Sequence, residues 1–294
     1  MSNTPKKIDE RIFRPARQEA HDATIALDIP QTQSASYRLA FQDTDFLLRE
    51  DLRPVRFQLE LLKPELLLDE AQIASTFVFY GSARIPSPEK AQSLIDAARS
   101  DADRRIANNL AAKAKYYEEA RKLARIAARF PVDLNGKRNF VVCSGGGPSI
   151  MEAANRGASE VGAGTIGLNI VLPHEQAPNE YVTPELSFQF HYFALRKMHF
   201  LLRARALAVF PGGFGTFDEL FELLTLIQTG KIQPIPILLY GREFWKRVVD
   251  FEALVDEGVI AQSDLNLITW VETAEEGWAA VQTFYDDHDM TESG

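Results

Sequence analysis

A glycine-rich segment, Pro211-Gly-Gly-Phe-Gly-Thr-Phe-Asp-Glu219, follows an apolar run and precedes a helical pattern. This order predicts a strand, a turn and the start of a helix. A helix start presents unpaired backbone N–H groups and the positive end of the helix dipole, and both favour a bound phosphate. Gly212, Gly213 and Gly215 would let the backbone approach an anion closely. Thr216 could cap the helix and donate its hydroxyl to a phosphate oxygen.

Glu219 lies one turn into this predicted helix, where a carboxylate beside an anion site is electrostatically unexpected. Two interpretations are open at this point. The spacing Thr216-x-x-Glu219 is that of a capping box, in which Glu219 accepts a hydrogen bond from the backbone N–H of Thr216. Alternatively, Glu219 takes part in chemistry on the molecule that carries the phosphate. The basic segment 196–205 is similarly open, because such a cluster is often only a solvated helix face.

The composition is that of a globular chain, with 294 residues, 25% charged and 46% hydrophobic, and it fits one α/β domain with an extension. We expect a cytoplasmic enzyme, because no apolar run reaches about 18 residues and the first residues lack the apolar segment of a secretory signal. Cys143 is the only cysteine, and it follows apolar strand residues, which predicts a buried thiol. The net charge of −9 argues against general binding of nucleic acid.

Apolar runs alternate with helical patterns along most of the chain. Continuous apolar strands separated by helices predict an α/β fold, a doubly wound parallel sheet with helices on both faces. The predicted strands are 76–80, 139–143, 165–170, 207–210, 235–240 and 267–271. The predicted helices are 64–70, one or two helices within 88–130, 149–161, 191–205, 216–229, 244–257 and 274–287.

Three regions follow from this pattern: a mobile or extended N-terminus at 1–35, a helical N-terminal extension at 36–73 and a catalytic domain at 74–290. Three predicted strands of the catalytic domain end in glycine-bearing turns, at Gly81, at Gly145–Gly147 and at the 211–219 segment. Ligands of parallel sheets bind at the carboxyl ends of the strands, which makes these turns the predicted site.

The second turn, Ser144-Gly-Gly-Gly-Pro-Ser-Ile-Met-Glu152, repeats the arrangement of glycines before a helix, with Ser149-x-x-Glu152 as a possible capping box. It is not a G-x-G-x-x-G fingerprint, because Ile150 occupies the third glycine position. No G-x-x-x-x-G-K-[ST] segment is present in the sequence either. Dinucleotide and nucleoside-triphosphate binding are therefore disfavoured.

The ordered motifs resemble those of the LONELY GUY family, whose members were once labelled lysine decarboxylases. Residues 211–219 match its P-G-G-x-G-T-x-x-E signature, and Phe193-Ala-Leu-Arg-Lys-Met198 matches its R-K-x-x motif. Phe79-Tyr-Gly-Ser82 and Gly145–Gly147 match its first two turns, so that the resemblance covers about residues 74–285. The resemblance implies a Rossmann-like phosphoribohydrolase, which cleaves a nucleoside 5′-monophosphate into free base and ribose 5-phosphate.

The resemblance, together with the position beside the phosphate turn, assigns Glu219 to the developing positive charge of the ribose or to the attacking water. It assigns Arg196 to the leaving base or the phosphate. The expected phosphate- and substrate-binding residues are Gly212, Gly213, Gly215, Thr216, Gly81, Ser82, Arg84, Gly145, Gly146, Gly147 and Lys197, of which Arg84 and Lys197 are secondary candidates. We expect a nucleotide substrate, no cofactor, no metal, no nucleic-acid or membrane partner, and a homo-oligomer of at least two subunits whose site is completed across subunits.

One departure bears on the substrate. Plant-type members read G-G-G-x-x-G-L-M after the second strand, whereas this chain reads Gly145-Gly-Gly-Pro-Ser-Ile-Met151. With its N-terminal extension the chain resembles the longer bacterial branch, and AMP is at least as well supported as a cytokinin nucleotide. The sequence leaves open a protein that binds or carries a nucleotide or phosphorylated cofactor without cleaving it. It disfavours a pyridoxal-phosphate decarboxylase, because no lysine of this chain stands out as a Schiff-base former.

Overall fold

A computed structural model of the chain describes residues 14–23, 28–130, 132–133, 135–173 and 177–292. Two compact units are present, residues 1–60 and residues 61–294. The described residues of the first unit form short helices: α1 (Ala16–Ala23), α2 (Pro30–Gln33), α3 (Thr44–Leu47) and the first turns of α4 (Arg53–Glu70). The sequence predicted neither α1 nor α2. Residues 1–13 and 24–27 of the predicted N-terminus lie outside the described residues.

Pro64 does not open a helix, as the sequence predicted, but lies inside α4. A proline within a helix removes one backbone hydrogen bond. The helix nevertheless continues through this position, and Pro64 and Leu68 are both buried.

The second unit contains a sheet of seven strands, all of which pair in parallel. The strands are β1 (Thr76–Tyr80), β2 (Val141–Ser144), β3 (Ile166–Ile170), β4 (Ser187–Phe190), β5 (Ala204–Val209), β6 (Ile237–Tyr240) and β7 (Ile268–Val271). The helices that follow α4 are α5 (Pro88–Asp96), α6 (Asp101–Ala111), α7 (Ala114–Ala127), α8 (Ile150–Ser159), α9 (Phe193–Leu202), α10 (Phe214–Gln228), α11 (Arg242–Val248), α12 (Phe251–Asp256) and α13 (Ala274–Glu292). The Rossmann-like fold class is confirmed.

The six predicted strands are all present, and β4 was missed. Two of its four residues are buried and alternate with more exposed ones, which is typical of an edge strand with one covered face. The predicted helix at 244–257 is two helices, because Val249 is extended and Asp250 begins α12 by accepting a hydrogen bond from the Ala253 amide.

The strand order is β4-β3-β2-β1-β5-β6-β7. The chain therefore builds outward from β1 in one direction and then returns to β5 on the other side of β1. The carboxyl ends of β1 and β5 border the switch point in strand order, where open parallel sheets leave a crevice for ligands. Backbone hydrogen bonds join the two strand ends, from the Phe210 amide to the Tyr80 carbonyl and from the Ser82 amide to the Pro211 carbonyl.

Side chains on the two faces of β1 have different environments. Phe79 joins an aromatic stack with Phe210 and Tyr240 in the core, with ring centroids 6.4 Å and 4.2 Å apart. The ring of Tyr80 packs edge-on against Phe200 of α9 at 5.1 Å. The α9 helix, which carries Arg196, is thereby held at the carboxyl end of the central strand.

Candidate active site

A cavity of about 790 Å³ opens at the carboxyl ends of β1 and β5. Its walls come from the turns after β1, β2 and β5 and from parts of α8, α9, α10 and α11. The lining residues are Phe79, Tyr80, Gly81, Ser82, Ala83, Arg84, Gly145, Met151, Arg196, Phe200, Gly213, Phe214, Gly215, Thr216, Phe217, Glu219 and Val248. Nine of the predicted site residues thus line one cavity, whereas Gly212, Gly146, Gly147 and Lys197 do not line it.

The first turn of α10 forms one wall of this cavity. Gly213 precedes the helix in an extended conformation, and the Phe217 amide makes the first helical hydrogen bond, to the Gly213 carbonyl at 3.1 Å. The amides of Phe214, Gly215 and Thr216 come before this bond, so they are the unpaired donors that a helix start presents. A Cβ atom added at Gly213 or Gly215 would meet open space, so the glycines leave the approach to these amides clear.

Thr216 does not cap the helix, so that prediction is wrong. It is a buried residue in the third helical position, and its Oγ1 lies 2.2 Å from the place that a Cβ of Gly212 would occupy. Gly212 is therefore required by the packing of Thr216. Thr216 itself lines the cavity, and its hydroxyl lies on the same turn as the unpaired amides.

The carboxylate of Glu219 lies deeper in the cavity and pairs with Arg196. The Arg196 Nη1 donates to Glu219 Oε1 at 3.4 Å, and the two side chains are 11% and 13% exposed. The Arg196 Nε donates to the Leu168 carbonyl at 2.6 Å, and the guanidinium lies 5.0 Å from the centroid of the Phe200 ring. Arg196 is thus oriented by a backbone carbonyl and an aromatic face as well as by its ionic partner.

Burial raises the pKa of Glu219 from 4.5 to about 7. The nearby Arg196 and Lys197 oppose this shift, and Asp218 and Glu222 add to it. A carboxyl group that titrates near neutral pH can exist in either protonation state under physiological conditions, which is the property of many catalytic acids and bases.

The structure contradicts both capping-box interpretations. Because α10 begins at Phe214, Glu219 lies too far along the helix to reach the N-cap, and its hydrogen bond is to Arg196. In the second turn, Ser149 donates to the Ile85 carbonyl, and Glu152 accepts a hydrogen bond from Tyr117 at 2.7 Å. Neither carboxylate is engaged in capping its own helix.

Lys197 points away from the cavity. Its Nζ lies 2.9 Å from Asp218 Oδ1 and 3.0 Å from Glu222 Oε2, so that it bridges two carboxylates of α10 on either side of Glu219 in the sequence. Burial lowers the pKa of Lys197, but the hydrogen bonds to these carboxylates outweigh burial, and the net shift is upward. Lys197 therefore joins α9 to α10 and is already engaged by two acceptors.

The turn after β2 is fixed by a buried polar network. The Ser144 hydroxyl donates to Asn155 Oδ1 at 2.7 Å and accepts from the Gly146 amide at 3.0 Å. Asn179 Nδ2 donates to the carbonyls of Gly146 and Gly147, each at 3.0 Å, and to Asn155 Oδ1 at 2.9 Å. Gly146 has a positive φ of 73° beside the Asn169 side chain, which restricts this position to glycine.

Gly145 is the residue of this turn that lines the cavity. A Cβ atom at this position would lie 2.5 Å from Arg196 Nη2 and 2.8 Å from Met151 Sδ. The absence of a side chain here is what allows the Arg196 guanidinium to occupy its place beside Glu219.

The turn after β1 contributes Gly81, Ser82 and Arg84 to the cavity. Ser82 accepts a hydrogen bond from the Arg84 amide at 3.0 Å, and a Cβ at Gly81 would lie 2.6 Å from the Ile150 side chain. The exposed Arg84 side chain forms no ion pair within the described part of the chain. It is the cation at the cavity rim that is available to a ligand.

Sequence reasoning missed most of the apolar wall, which consists of Phe79, Tyr80, Ala83, Met151, Phe214, Phe217 and Val248. Most of these residues belong to apolar runs that look like core. Phe214 could have been predicted as a cavity residue, because an aromatic residue between glycines in a phosphate-type turn is not expected to be buried in the core. It is 97% exposed.

Cys143 is buried, as predicted, and burial raises the pKa of its thiol. Within the described ranges, no group of three or more His, Cys, Asp or Glu side chains is arranged to hold a metal ion. No lysine lines the cavity, so the described wall offers no residue for a lysine-bound aldehyde cofactor. No helix among the described residues is long and apolar enough to cross a membrane.

Comparisons with known proteins agree with these motifs. A family model described as "possible lysine decarboxylase" matches residues 151–281, which include Arg196 and Glu219. The Arabidopsis thaliana protein named cytokinin riboside 5′-monophosphate phosphoribohydrolase LOG2 is 26% identical over 181 residues, which are 60% of this chain and 80% of that protein. The Oryza sativa subsp. japonica protein named probable cytokinin riboside 5′-monophosphate phosphoribohydrolase LOGL3 is 29% identical over 100 residues, which are 34% of this chain and 47% of that protein.

Among solved structures, the molybdenum cofactor carrier protein of Chlamydomonas reinhardtii aligns with 72% of this chain and 99% of its own length, at 18% identity and a TM-score of 0.39. That similarity is too low to bear on function. The family model, in contrast, matches the part of the chain that carries the glycine-rich turn and the Arg196–Glu219 pair. The chain is similar to lysine decarboxylase-like proteins of the LONELY GUY type.

Proposed function

We propose that the protein hydrolyses the N-glycosidic bond of nucleoside 5′-monophosphates and releases free base and ribose 5-phosphate. The observation that carries this proposal is the buried Glu219–Arg196 pair, with 3.4 Å between Nη1 and Oε1, in the cavity that the start of α10 also lines. A simple anion-binding site gains nothing from a buried carboxylate, whereas a reaction that develops positive charge does.

The phosphate binds at the first turn of α10 in this proposal. The amides of Phe214, Gly215 and Thr216 and the Thr216 hydroxyl are the donors, and the helix dipole adds to their attraction for an anion. Arg84 and Ser82, across the cavity on the β1 turn, supply a cation and a hydroxyl. Binding energy from the phosphate, which does not react, serves to hold the sugar in place for attack.

Glu219 acts at the ribose carbon. When the C–N bond to the base breaks, the ribose gains oxocarbenium character, as in other glycoside cleavages. The Glu219 carboxylate stabilises that charge and accepts a hydrogen bond from the water that attacks the carbon. The water supplies a hydroxyl group to the sugar and a proton that the departing base takes up.

Arg196 acts on the leaving base. Its guanidinium stays protonated at neutral pH, so it stabilises the negative charge of the base by hydrogen bonding and does not transfer a proton. Removing a preorganised donor of this kind typically costs about 10²–10³ in rate. The carbonyl of Leu168 and the ring of Phe200 hold Arg196 in place before substrate binds.

The substrates we propose are AMP, cytokinin riboside 5′-monophosphates, or both. The names of the two plant relatives support the cytokinin nucleotides, and the sequence departures in the second turn support AMP. A cavity of about 790 Å³ that is partly walled by Phe217 and Val248 is compatible with either base.

The test is chromatography of the products after incubation with AMP, GMP, CMP, UMP and N6-isopentenyl AMP. We expect free base and ribose 5-phosphate from the wild type and a loss of at least about 10²-fold in Glu219→Gln. Glu222→Gln is the matched control, because Glu222 lies one turn further along α10 and does not line the cavity. Nucleotide binding without cleavage of any substrate would contradict the proposal and favour a carrier.

We also propose a homo-oligomer whose subunits meet near the cavity mouth. Phe214 is 97% exposed, and Phe193 and Met198 on α9 are 54% and 47% exposed. Exposed large apolar side chains on the two helices that border the cavity are typical of a surface that a partner covers. Light scattering tests this proposal, and a fully active monomer would refute it.

A further inference from the structure

Tyr80 is a cavity residue without an assigned role. It is the last residue of β1, at the switch point of the sheet, and it lines the cavity although it is only 3% exposed. Its ring is fixed edge-on against Phe200, the same ring that the Arg196 guanidinium covers. Tyr80 therefore lies on the cavity floor, in the same packing unit as Arg196.

The hydroxyl of Tyr80 has no hydrogen-bond partner among the described residues. Two other buried tyrosines do have one: Tyr117 donates to Glu152 at 2.7 Å, and Tyr240 donates to the Thr273 carbonyl at 3.2 Å. Buried tyrosine hydroxyls usually find a partner, and an exception needs a reason. A hydroxyl at the floor of an open cavity is free to hydrogen-bond a ligand atom.

The groups that face Tyr80 come from three neighbouring elements: Cys143 of β2, Arg196 of α9, and Glu219 and Glu222 of α10. Burial first, and then the Glu219 carboxylate, raise the pKa of Tyr80 well above 10. The phenol is therefore neutral and can both donate and accept a hydrogen bond at any pH at which Glu219 titrates. A neutral hydroxyl suits a sugar hydroxyl better than a phosphate.

The dimensions of the site place the sugar beside these groups. The rise of a helix is 1.5 Å per residue, so Glu219 lies about 7.5 Å along α10 from Phe214, where the unpaired amides begin. A phosphate bound at those amides thus places the attached ribose next to Glu219. Hydrogen bonds to sugar hydroxyls close to the reacting carbon strengthen in the transition state of glycoside cleavage.

We propose that the Tyr80 hydroxyl hydrogen-bonds a ribose hydroxyl of the bound nucleotide and makes Tyr80 a further substrate-positioning residue of this site. The proposal rests on the proposed function for its choice of ligand. Its structural part, a neutral, unpartnered hydroxyl on the cavity floor, does not depend on turnover.

The experiment compares Tyr80→Phe with the wild type on AMP, 2′-deoxy-AMP and 3′-deoxy-AMP. We expect kcat/KM on AMP to fall about 10- to 100-fold, because a transition-state hydrogen bond is lost. On the deoxynucleotide that lacks the contacted hydroxyl, the two proteins should agree within about threefold, since the bond is then absent from both. The denaturation midpoint should not change, because the hydroxyl has no protein partner to lose.

Tyr117→Phe is the matched control. It removes a buried hydroxyl that is bonded to Glu152 and lies outside the cavity, so it should lower the denaturation midpoint and leave activity unchanged. Equal activity of Tyr80→Phe and wild type on AMP would overturn the proposal. Equal losses on AMP and on both deoxynucleotides would overturn it as well.

A binding measurement separates this proposal from the proposed function. If the wild type cleaves no nucleotide, the hydrolase proposal fails, and calorimetric titration with AMP and with ribose 5-phosphate then decides the Tyr80 contact. Binding about tenfold weaker in Tyr80→Phe supports the contact. Equal binding by both proteins, or no binding of either compound to the wild type, overturns it.

Discussion

Replacing Glu219 by glutamine should make the protein more stable at neutral and alkaline pH. Burial raises the pKa of Glu219 from 4.5 to about 7, so the ionised carboxylate is less favourable in the folded protein than in the unfolded chain. At about 1.4 kcal/mol for each pKa unit, this rise corresponds to about 3 kcal/mol. The side chain is only 13% exposed, so that solvent screening reduces this figure little.

The sign of the effect depends on pH. Below about pH 4.5 the carboxyl is protonated in both states and carries no penalty. As pH rises through 7, the folded protein must ionise a buried group, and the favourable contribution of the protonated form is lost. Relative to the glutamine variant, the wild type should therefore lose about 3 kcal/mol of unfolding free energy between pH 5 and pH 8.

Urea denaturation of both proteins at several pH values measures this difference. The pKa of about 7 already includes the attraction of Arg196 for the ionised carboxylate. Differences between glutamine and a protonated carboxyl do not vary with pH, so the slope of the stability difference is the informative quantity. Glu222→Gln should change the slope much less, because Glu222 is a more exposed carboxylate of the same helix, with 36% of its side chain accessible, and only a minor contributor to the pKa of Glu219. A difference between wild type and Glu219→Gln that stays flat from pH 5 to pH 8 would refute the reasoning.

Three more predictions concern the surroundings of the same pair. Activity should rise with pH around pH 7 as Glu219 ionises, and Lys197→Met should move this rise to higher pH, because Lys197 lowers the pKa of Glu219; pH–rate profiles test this. Gly145→Ala should keep the fold but lose about 10²-fold or more in activity, because the new methyl group displaces the Arg196 guanidinium; circular dichroism and kinetics check both parts. Asn155→Ala should lower the free energy of unfolding by about 2–4 kcal/mol, since it leaves buried hydrogen-bonding groups unpaired; urea titration measures this.

Each of these predictions has a contrary outcome. If activity rises with pH at the same pH in Lys197→Met and in the wild type, Lys197 does not influence the pKa of Glu219. A Gly145→Ala protein with normal kcat would show that activity does not depend on the observed position of the Arg196 guanidinium. An Asn155→Ala protein as stable as the wild type would mean that water replaces the lost groups without cost.

The alternation of apolar runs was enough to predict the parallel sheet and six of its strands. The short edge strand β4 was not predicted, because four residues with one exposed face lack the continuous apolar run of a central strand. The glycine-rich turns identified the carboxyl edge of the sheet as the site, because glycines at a helix start let the backbone approach a ligand closely. The sequence did not predict that Gly213 is the N-cap of α10. Threonine is a more common N-cap than most residues, but Thr216 lies buried in the third helical position, packed against Gly212.

The directions of the side chains were the second feature that the sequence could not predict. Arg196 and Lys197 are neighbours on one basic helix, yet one turns into the cavity and the other joins two carboxylates of α10. That division depends on the Leu168 carbonyl and on the missing side chain of Gly145, which lie far away in the sequence. Tyr80 was not predicted as a cavity residue for a similar reason, because the sequence of a buried strand does not show which of its side chains border a cavity.

The reactive pair and the phosphate turn lie in one contiguous stretch, the helix–strand–helix unit from Phe193 to Gln228. The rest of the cavity wall comes from distant parts of the chain, namely the turns after β1 and β2 and the end of α11. The residues of the proposed chemistry thus lie in one stretch of the sequence, whereas the shape of the cavity also depends on distant segments. Substitutions in those distant segments can change the cavity wall while the Arg196–Glu219 pair and its helix start stay intact, and a designer could exchange that part of the wall in the same way.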